Sequence, residues 1–271
     1  MPHELDHQTH LIQRGAPGAR LASTSLDLCD RVAVRAVLRE TRPDVLIHLA
    51  TSFRTGVEHS DAAKQDTQMW RNLTSAGLFD RVVIASTELG KSVSDQMTAF
   101  QQAYVDSKIR LERDALNFYQ DTNTPTVLCR FPHLAGATEH VRDRNYNRIL
   151  NKLLRPAVSG NQKPIDIYVP YQTTLRYMHV QTASEIIVNR VARFEGFAIN
   201  ECGADAVAID FAELVHVVDR IVGKTPNVTW SQGAPSGQHV VGGWRLGKAE
   251  RLVRDTLAWI AEEEEFEDGQ V

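Results

Sequence analysis

The feature that most constrains this chain is an alternation. Short runs rich in β-branched residues recur, each bounded by polar or turn residues, with longer amphipathic stretches between them. The short runs are 9–13 (THLIQ), 44–50 (DVLIHLA), 81–85 (RVVIA), 126–130 (TVLCR) and 165–169 (IDIYV). Their apolar residues sit next to one another rather than at every second position, as in strands covered on both faces. Between them the spacing predicts helices over 30–40, 60–75 and 101–119. Strand, helix, strand at this rhythm makes βα units, hence an α/β fold with a mostly parallel sheet. Right-handed crossovers then place helices on both faces of it.

Past residue 140 the rhythm changes. Helices are expected over 146–154 and 180–194. Asp210 reads as the N-cap of a helix over 211–222 that stops at Gly223, and a last helix is expected over 248–263. This back part reads as a smaller, mixed lobe. The expected division is a core over 1–140, to which 165–200 returns, and a mainly substrate-binding lobe with C-terminal helices over 141–271. A chain of 271 residues that is 42% hydrophobic can bury a sizeable core, which excludes general disorder.

Charge adds little. Six of the 34 acidic residues fall in 262–268 (EEEEFED), leaving a body with 30 basic and 28 acidic residues and no basic stripe. That body gives no electrostatic case for nucleic acid. No run approaches the ~18 apolar residues of a membrane span, and the start (MPHELDHQTH) is polar. Cys29, Cys129 and Cys202 are odd in number and widely spaced, which fits reduced thiols and a cytoplasmic location.

The strongest chemical signal is Tyr104 and Lys108 in YVDSK, within the helix expected over 101–119. Positions i and i+4 share one helix face. A cation beside a phenol favours the phenolate and draws its pKa down from about 10, as a general base requires. Upstream, RVVIA runs directly into Ser86, Thr87 and Glu88. A hydroxyl at the carboxyl end of a parallel strand stands where α/β folds bind ligands.

Strand-end hydroxyl, then helix-borne Tyr and Lys, resembles the short-chain dehydrogenase/reductase superfamily. The chain looks like its extended branch, the NAD-dependent epimerase/dehydratase family of nucleotide-sugar enzymes. PDVLIHLA (43–50) resembles the family's PDVVIHLAA strand, and ASTELG (85–90) a shortened ASTSELYG. RFPHLAG (130–136) is similar to RxxNxYG, and LRYMHV (175–180) to RDFIHV. Residues 211–223 and GWR (243–245) are similar to the family's late helix and GW[KR]P turn. The resemblance runs over about residues 5–260 and implies a Rossmann-like sheet with a substrate lobe.

The roles that follow are those the resemblance implies. Tyr104 is the acid/base that takes a sugar hydroxyl proton, and Lys108 lowers its pKa and holds the nicotinamide ribose. Thr87, or alternatively Ser86, bonds the reacting hydroxyl. Glu88 is the elimination acid/base of a dehydratase. NAD or NADP is the implied cofactor, touched by Arg14, His48, Leu49, Ala50, Lys108 and Pro132. His133 and Arg176 face the sugar nucleotide, Arg176 by pairing with its diphosphate. A homodimer through the Tyr104 helix, with Ile109, Leu116 and Phe118 in contact, is also implied.

The front departs from the pattern. The family opens with a strand and GxxGxxG, whose glycines let backbone approach a pyrophosphate at a helix N-terminus. Here Gly15 and Gly18 in RGAPGAR have no third partner, and HQTHLIQR (7–14) resembles the family's second strand. The expectation is a chain without the first strand and helix, either because it starts at an internal methionine or because it is a divergent member. Further departures are His133 for an Asn, Ala135 for a Tyr, Ser25 for an acid, and RYMHVQT for RDFIHVDD. The alternative function is therefore a relative without dinucleotide binding, either non-catalytic or a cofactor-free lyase or isomerase. No metal site is expected; His3, His7 and His10 cluster at the terminus, but no carboxylate-His ligand set is evident there and the expectation is an adventitious site at most.

Overall fold

The fold comes from a computed structural model that describes residues 11–13, 23–52, 59–76, 79–91, 99–135, 150, 153–154, 164–167, 173–230 and 247–258. Gly15, Gly18, Arg14, the three N-terminal histidines, the GWR turn and the acidic run lie outside the described residues.

The chain divides into two compact units. One comprises Met1–Cys129 and Arg190–Asn200; the other comprises Arg130–Asn189 and Glu201–Val271. In the first, strands β1 (Leu11–Gln13) and β2 (Ser23–Ser25) pair in parallel as a separate two-stranded sheet. Then come α1 (Arg31–Thr41), β3 (Val45–His48), α2 (His59–Ala76), β4 (Arg81–Thr87) and α3 (Ala99–Thr122). Strands β5 (Thr126–Phe131) and, later, β9 (Phe197–Glu201) complete a four-stranded sheet of order β3-β4-β5-β9. β3 and β4 run parallel, with Ile47 opposite Val83 and His48 opposite Ile84. The fold is α/β and Rossmann-like, as the alternation requires.

Local chemistry explains the boundaries. Asp30 caps α1 by accepting the N–H groups of Val32 and Ala33 at 2.9 and 3.1 Å. The helix ends at Arg42, left-handed at φ 44°, just before Pro43. α2 buries Ala62, Asp66, Met69, Trp70 and Leu73, a stripe at helical spacing. Its core partners include Val34 and Leu38 of α1, Val82 and Ile84 of β4, and Leu111 and Ala115 of α3. α3 extends beyond the expected 101–119 at both ends, and its buried face is Val105, Ser107, Lys108, Leu111, Glu112 and Ala115. Two charged residues sit where periodicity looks for apolar ones, and Ile109 is 39% exposed.

The second unit has β6 (His133–Ala135), β8 (Thr174–His179) and β10 (Val207–Asp210) in a sheet of order β10-β8-β6. β10 pairs antiparallel and β6 parallel to β8, so this sheet is mixed. β7 (Ile165–Ile167) and β11 (Val228–Trp230) form a parallel pair. α4 (Val180–Arg193) begins in this unit and passes at Arg190 into the first. α5 (Phe211–Val222) carries the expected Asp210 cap, completed by Glu213 as a capping box, and stops at Gly223 with φ 71°. The core of this unit gathers Leu150, Leu153, Leu154, Tyr177, Leu214 and Val253 among others. Strands β2, β6 and β10 are three or four residues long, too short for an apolar run to announce them.

Candidate active site

β4 and α3 bring the two halves of the expected acid/base group together. β4 is buried almost throughout and delivers Ser86 and Thr87 at its carboxyl end, at 6% and 8% exposure. A single turn of helix, Glu88–Lys91, follows, with Glu88 half-buried. On α3, Tyr104 is half-buried and Lys108 is buried one turn later, as the i, i+4 spacing demands. The Lys108 amine lies 5.8 Å from the centroid of the Tyr104 ring and donates to the carbonyl of Ala85 at 3.5 Å. Helix-borne pair and strand end therefore meet at one place.

The two candidate hydroxyls differ. Ser86 Oγ donates to Glu112 Oε1 at 2.6 Å, inside the protein. Thr87 Oγ1 instead accepts the N–H of Leu89 at 3.3 Å, a bond that does not use the hydroxyl proton. The two hydroxyls thus have different partners.

Two acidic residues that motif reasoning passed over complete the surroundings. Asp66 of α2 is 4% exposed and Glu112 of α3 is 9% exposed. Asp66 accepts from Ser52 N–H at 2.5 Å, Thr51 Oγ1 at 3.0 Å and Ser107 Oγ at 3.3 Å. Burial pushes the Lys108 amine below its usual pKa, and the Asp66 and Glu112 carboxylates oppose that push. The available sequence signals were weak. Glu112 lies four residues beyond Lys108, which places it on the same helix face, and Asp66 is an acid on the buried stripe of α2.

The residues expected around a cofactor are dispersed in character. His48 is 4% exposed and packs its ring 5.9 Å from that of Trp70. Burial, seconded by the Lys108 charge, depresses its pKa from 6.5 to about 3, so the imidazole is neutral. Leu49 is 56% exposed and Ala50 half-buried just past β3. Phe118 of the expected dimer face packs edge-on against Trp70 at 5.8 Å.

In the second unit, Pro132 is buried between β5 and β6. His133 is half-buried with its ring 5.7 Å from that of Tyr177. Arg176 is exposed on β8 and donates from Nη2 to the carbonyl of Gly203 at 2.5 Å. Among the described residues no group of His, Cys, Asp or Glu could hold a metal ion, and no helix is long and apolar enough to cross a membrane.

The model of a family described as "NAD dependent epimerase/dehydratase family" matches residues 3–196. No curated protein matches the chain. Solved structures share the fold at low identity. UDP-glucose 4-epimerase of Thermus thermophilus, solved with NAD, is 17% identical with a TM-score of 0.68, over 93% of this chain and 90% of that one. The Brucella ovis UDP-glucose 4-epimerase, also with NAD, is 15% identical at TM-score 0.70, over 90% and 86%. UDP-N-acetylglucosamine 4-epimerase of Bacillus cereus is 16% identical at TM-score 0.65, over 93% and 85%.

Proposed function

From the premise that this chain belongs to the NAD-dependent epimerase/dehydratase family, we propose that it is an NAD(P)-dependent enzyme acting on a nucleotide sugar, working through Thr87, Tyr104 and Lys108. The observation that carries the reading is the meeting of Tyr104 and Lys108, 5.8 Å apart on one face of α3, with the hydroxyl-bearing end of β4. The donor set fits the ribose and nicotinamide end of a dinucleotide. Lys108 brings a cation with three donor protons and Tyr104 a phenol, and Leu49 offers exposed apolar surface beyond β3. Lys108, Leu49 and Ala50 would hold the group there, with Arg14 and Pro132 as the further contacts the family pattern implies. When bound, the nicotinamide supplies a hydride acceptor.

The chain's own residues do the proton work. The Lys108 charge favours the phenolate of Tyr104, which accepts the proton of the sugar hydroxyl as that carbon is oxidised. Thr87 donates its hydroxyl proton to the same oxygen and orients it, while Ser86 is held back by Glu112. Glu88, one residue on, is the group placed for elimination if the reaction is a dehydration. Arg176 presents a planar guanidinium suited to a diphosphate. In this proposal the protein works as a homodimer.

Calorimetry with NAD and NADP tests the cofactor directly. Measurable binding of one of them is expected, and no heat at millimolar dinucleotide rejects the reading. Turnover assayed on a panel of UDP-sugars and GDP-sugars tests the chemistry. Tyr104→Phe is expected to lower it by about 10²–10⁴-fold with the far-UV spectrum unchanged, and unaltered turnover removes Tyr104 from the mechanism.

A second reading is favoured by a specific observation. Among the described residues the parallel strands fall into a pair, β1-β2, and a separate sheet that starts at β3, and Lys108 is 4% exposed with a backbone carbonyl as acceptor for its amine. On this reading the chain is a divergent member without a dinucleotide, either a cofactor-free lyase or isomerase or a protein acting through ligand binding or assembly. The same calorimetry separates the two.

A further inference from the structure

The acid/base group rests on a buried charge cluster whose members come from two helices. Among the described residues, the buried Asp, Glu, Lys and Arg side chains are Asp66, Lys108 and Glu112, all in this cluster. Two carboxylates and one amine therefore share an interior with no competing ion of either sign among those residues. A buried charge is tolerated when hydrogen-bonded and matched by its opposite, and is otherwise lost by a change of protonation.

Asp66 is the more telling of the two acids. Its three hydrogen-bond donors, from Thr51, Ser52 and Ser107, are all neutral. They fall on both oxygens, the Ser52 N–H on Oδ1 and the two hydroxyls on Oδ2, and none of them brings a positive charge. Local bonding therefore leaves the negative charge unmatched, and the cation it acts on is Lys108, whose amine it helps keep protonated against burial. The geometry places the carboxylate beside that turn of α3, since Ser107, which donates to Asp66, is the residue before Lys108. Glu112 adds a second negative charge from α3 itself while tying down Ser86. On the β3 side the cluster faces His48, which is neutral and adds no competing charge.

We infer that Asp66 is a positioning residue for the acid/base group: from α2 it holds Lys108 in its charged form under the Tyr104 ring, and through Lys108 it sets how readily Tyr104 gives up its proton. The inference rests on the reading of Tyr104 and Lys108 as the acid/base pair. It assigns that pair a control element on a different helix, outside the YxxxK motif.

The experiment titrates the two groups in the full chain without dinucleotide or sugar. NMR of ¹⁵N,¹³C-labelled lysine follows the Lys108 amine, assigned by its loss in Lys108→Met. Phenolate absorbance follows Tyr104, assigned by difference from Tyr104→Phe. Asp66→Asn keeps the shape and removes the charge. It is expected to lower the Lys108 midpoint by about 1 pH unit or more and to raise that of Tyr104. Ser107→Ala, which removes a hydrogen bond and no charge, is expected to leave Lys108 where it was. Unchanged midpoints in folded Asp66→Asn overturn the inference, as does an equal effect of Ser107→Ala.

If Asp66→Asn does not fold, the wild-type chain answers. The Asp66 carboxyl resonance must respond to the titration of Lys108, and a carboxyl indifferent to it overturns the inference. These readouts are separate from the proposed activity. Absent NAD(P) binding removes the enzyme reading and leaves the Asp66–Lys108–Tyr104 linkage to be judged on its own titrations.

Discussion

β4 and β3 are paired neighbours in one parallel sheet, yet they are built to different standards. β4 has seven residues, and Val82, Val83 and Ile84 are each at most 1% exposed. β3 has four, of which only His48 is buried, and Ile47 stands 42% exposed opposite a fully buried Val83. Leu49, directly after β3, is 56% exposed. On the β4 side the strand end, α3 and α2 lock polar groups together. On the β3 side apolar surface is left to water, and β1 and β2 pair only with each other among the described residues. The lesson is that, among the described residues, β4 is covered along nearly its whole length, whereas β3 is tied in mainly at its carboxyl end, by His48 and by Thr51 and Ser52 beyond it.

That contrast can be broken by experiment, and the largest effect belongs to the interior strand. Ile84→Ala removes a side chain with no exposure from the centre of the first core, at an expected cost of about 2–5 kcal/mol. Urea denaturation showing less than about 1 kcal/mol would mean that β4 is not the supported strand described here.

A smaller effect comes from His48, where the two strands meet. Its pKa falls from 6.5 to about 3 on folding, so below pH 6.5 the unfolded chain binds a proton that the folded chain refuses. Stability should therefore fall as the pH drops from about 6.5 towards 3, by up to about 1.4 kcal/mol per pH unit from this group. His48→Gln should flatten that slope when denaturant midpoints at pH 7 and pH 5 are compared. An identical slope in the variant would place the proton uptake elsewhere.

The smallest effect is expected on the open side. Ile47→Thr keeps β-branching and removes little buried area, so it should shift stability by no more than about 0.5 kcal/mol. A loss near that of Ile84→Ala would show that Ile47 is covered in solution and would erase the contrast.

Much of this was legible in the residues, for physical reasons that differ by element. Helix α5 announced both ends, because Asp210 and Gly223 are a capping acid and a left-handed stop. β4 and β5 were legible as apolar runs, since strands buried on both faces write their burial directly into composition. β8 and β9 were not: β8 buries only Tyr177 and Met178, β9 buries none of its residues, and TLRYMH and FAINE look like ordinary polar-apolar mixtures. At the candidate site, Tyr104 and Lys108 were visible through helical spacing. Asp66 was invisible, because it lies 42 positions from Lys108 and on a different helix. Long-range charge matching leaves no local pattern to read.

The two polar contacts of α2 have a consequence for how that helix is seated. Asp66 grips Thr51 and Ser52, and six residues on, the Asn72 amide donates to the carbonyls of Leu28 and Cys29 at 2.9 Å each. An apolar stripe alone tolerates a slip by one turn, about 5.4 Å, because the next ridge falls into a similar groove. Two polar teeth about 9 Å apart along the axis do not. The helix is indexed rather than merely packed, and a covalent ruler inside α2 fixes where its buried carboxylate stops.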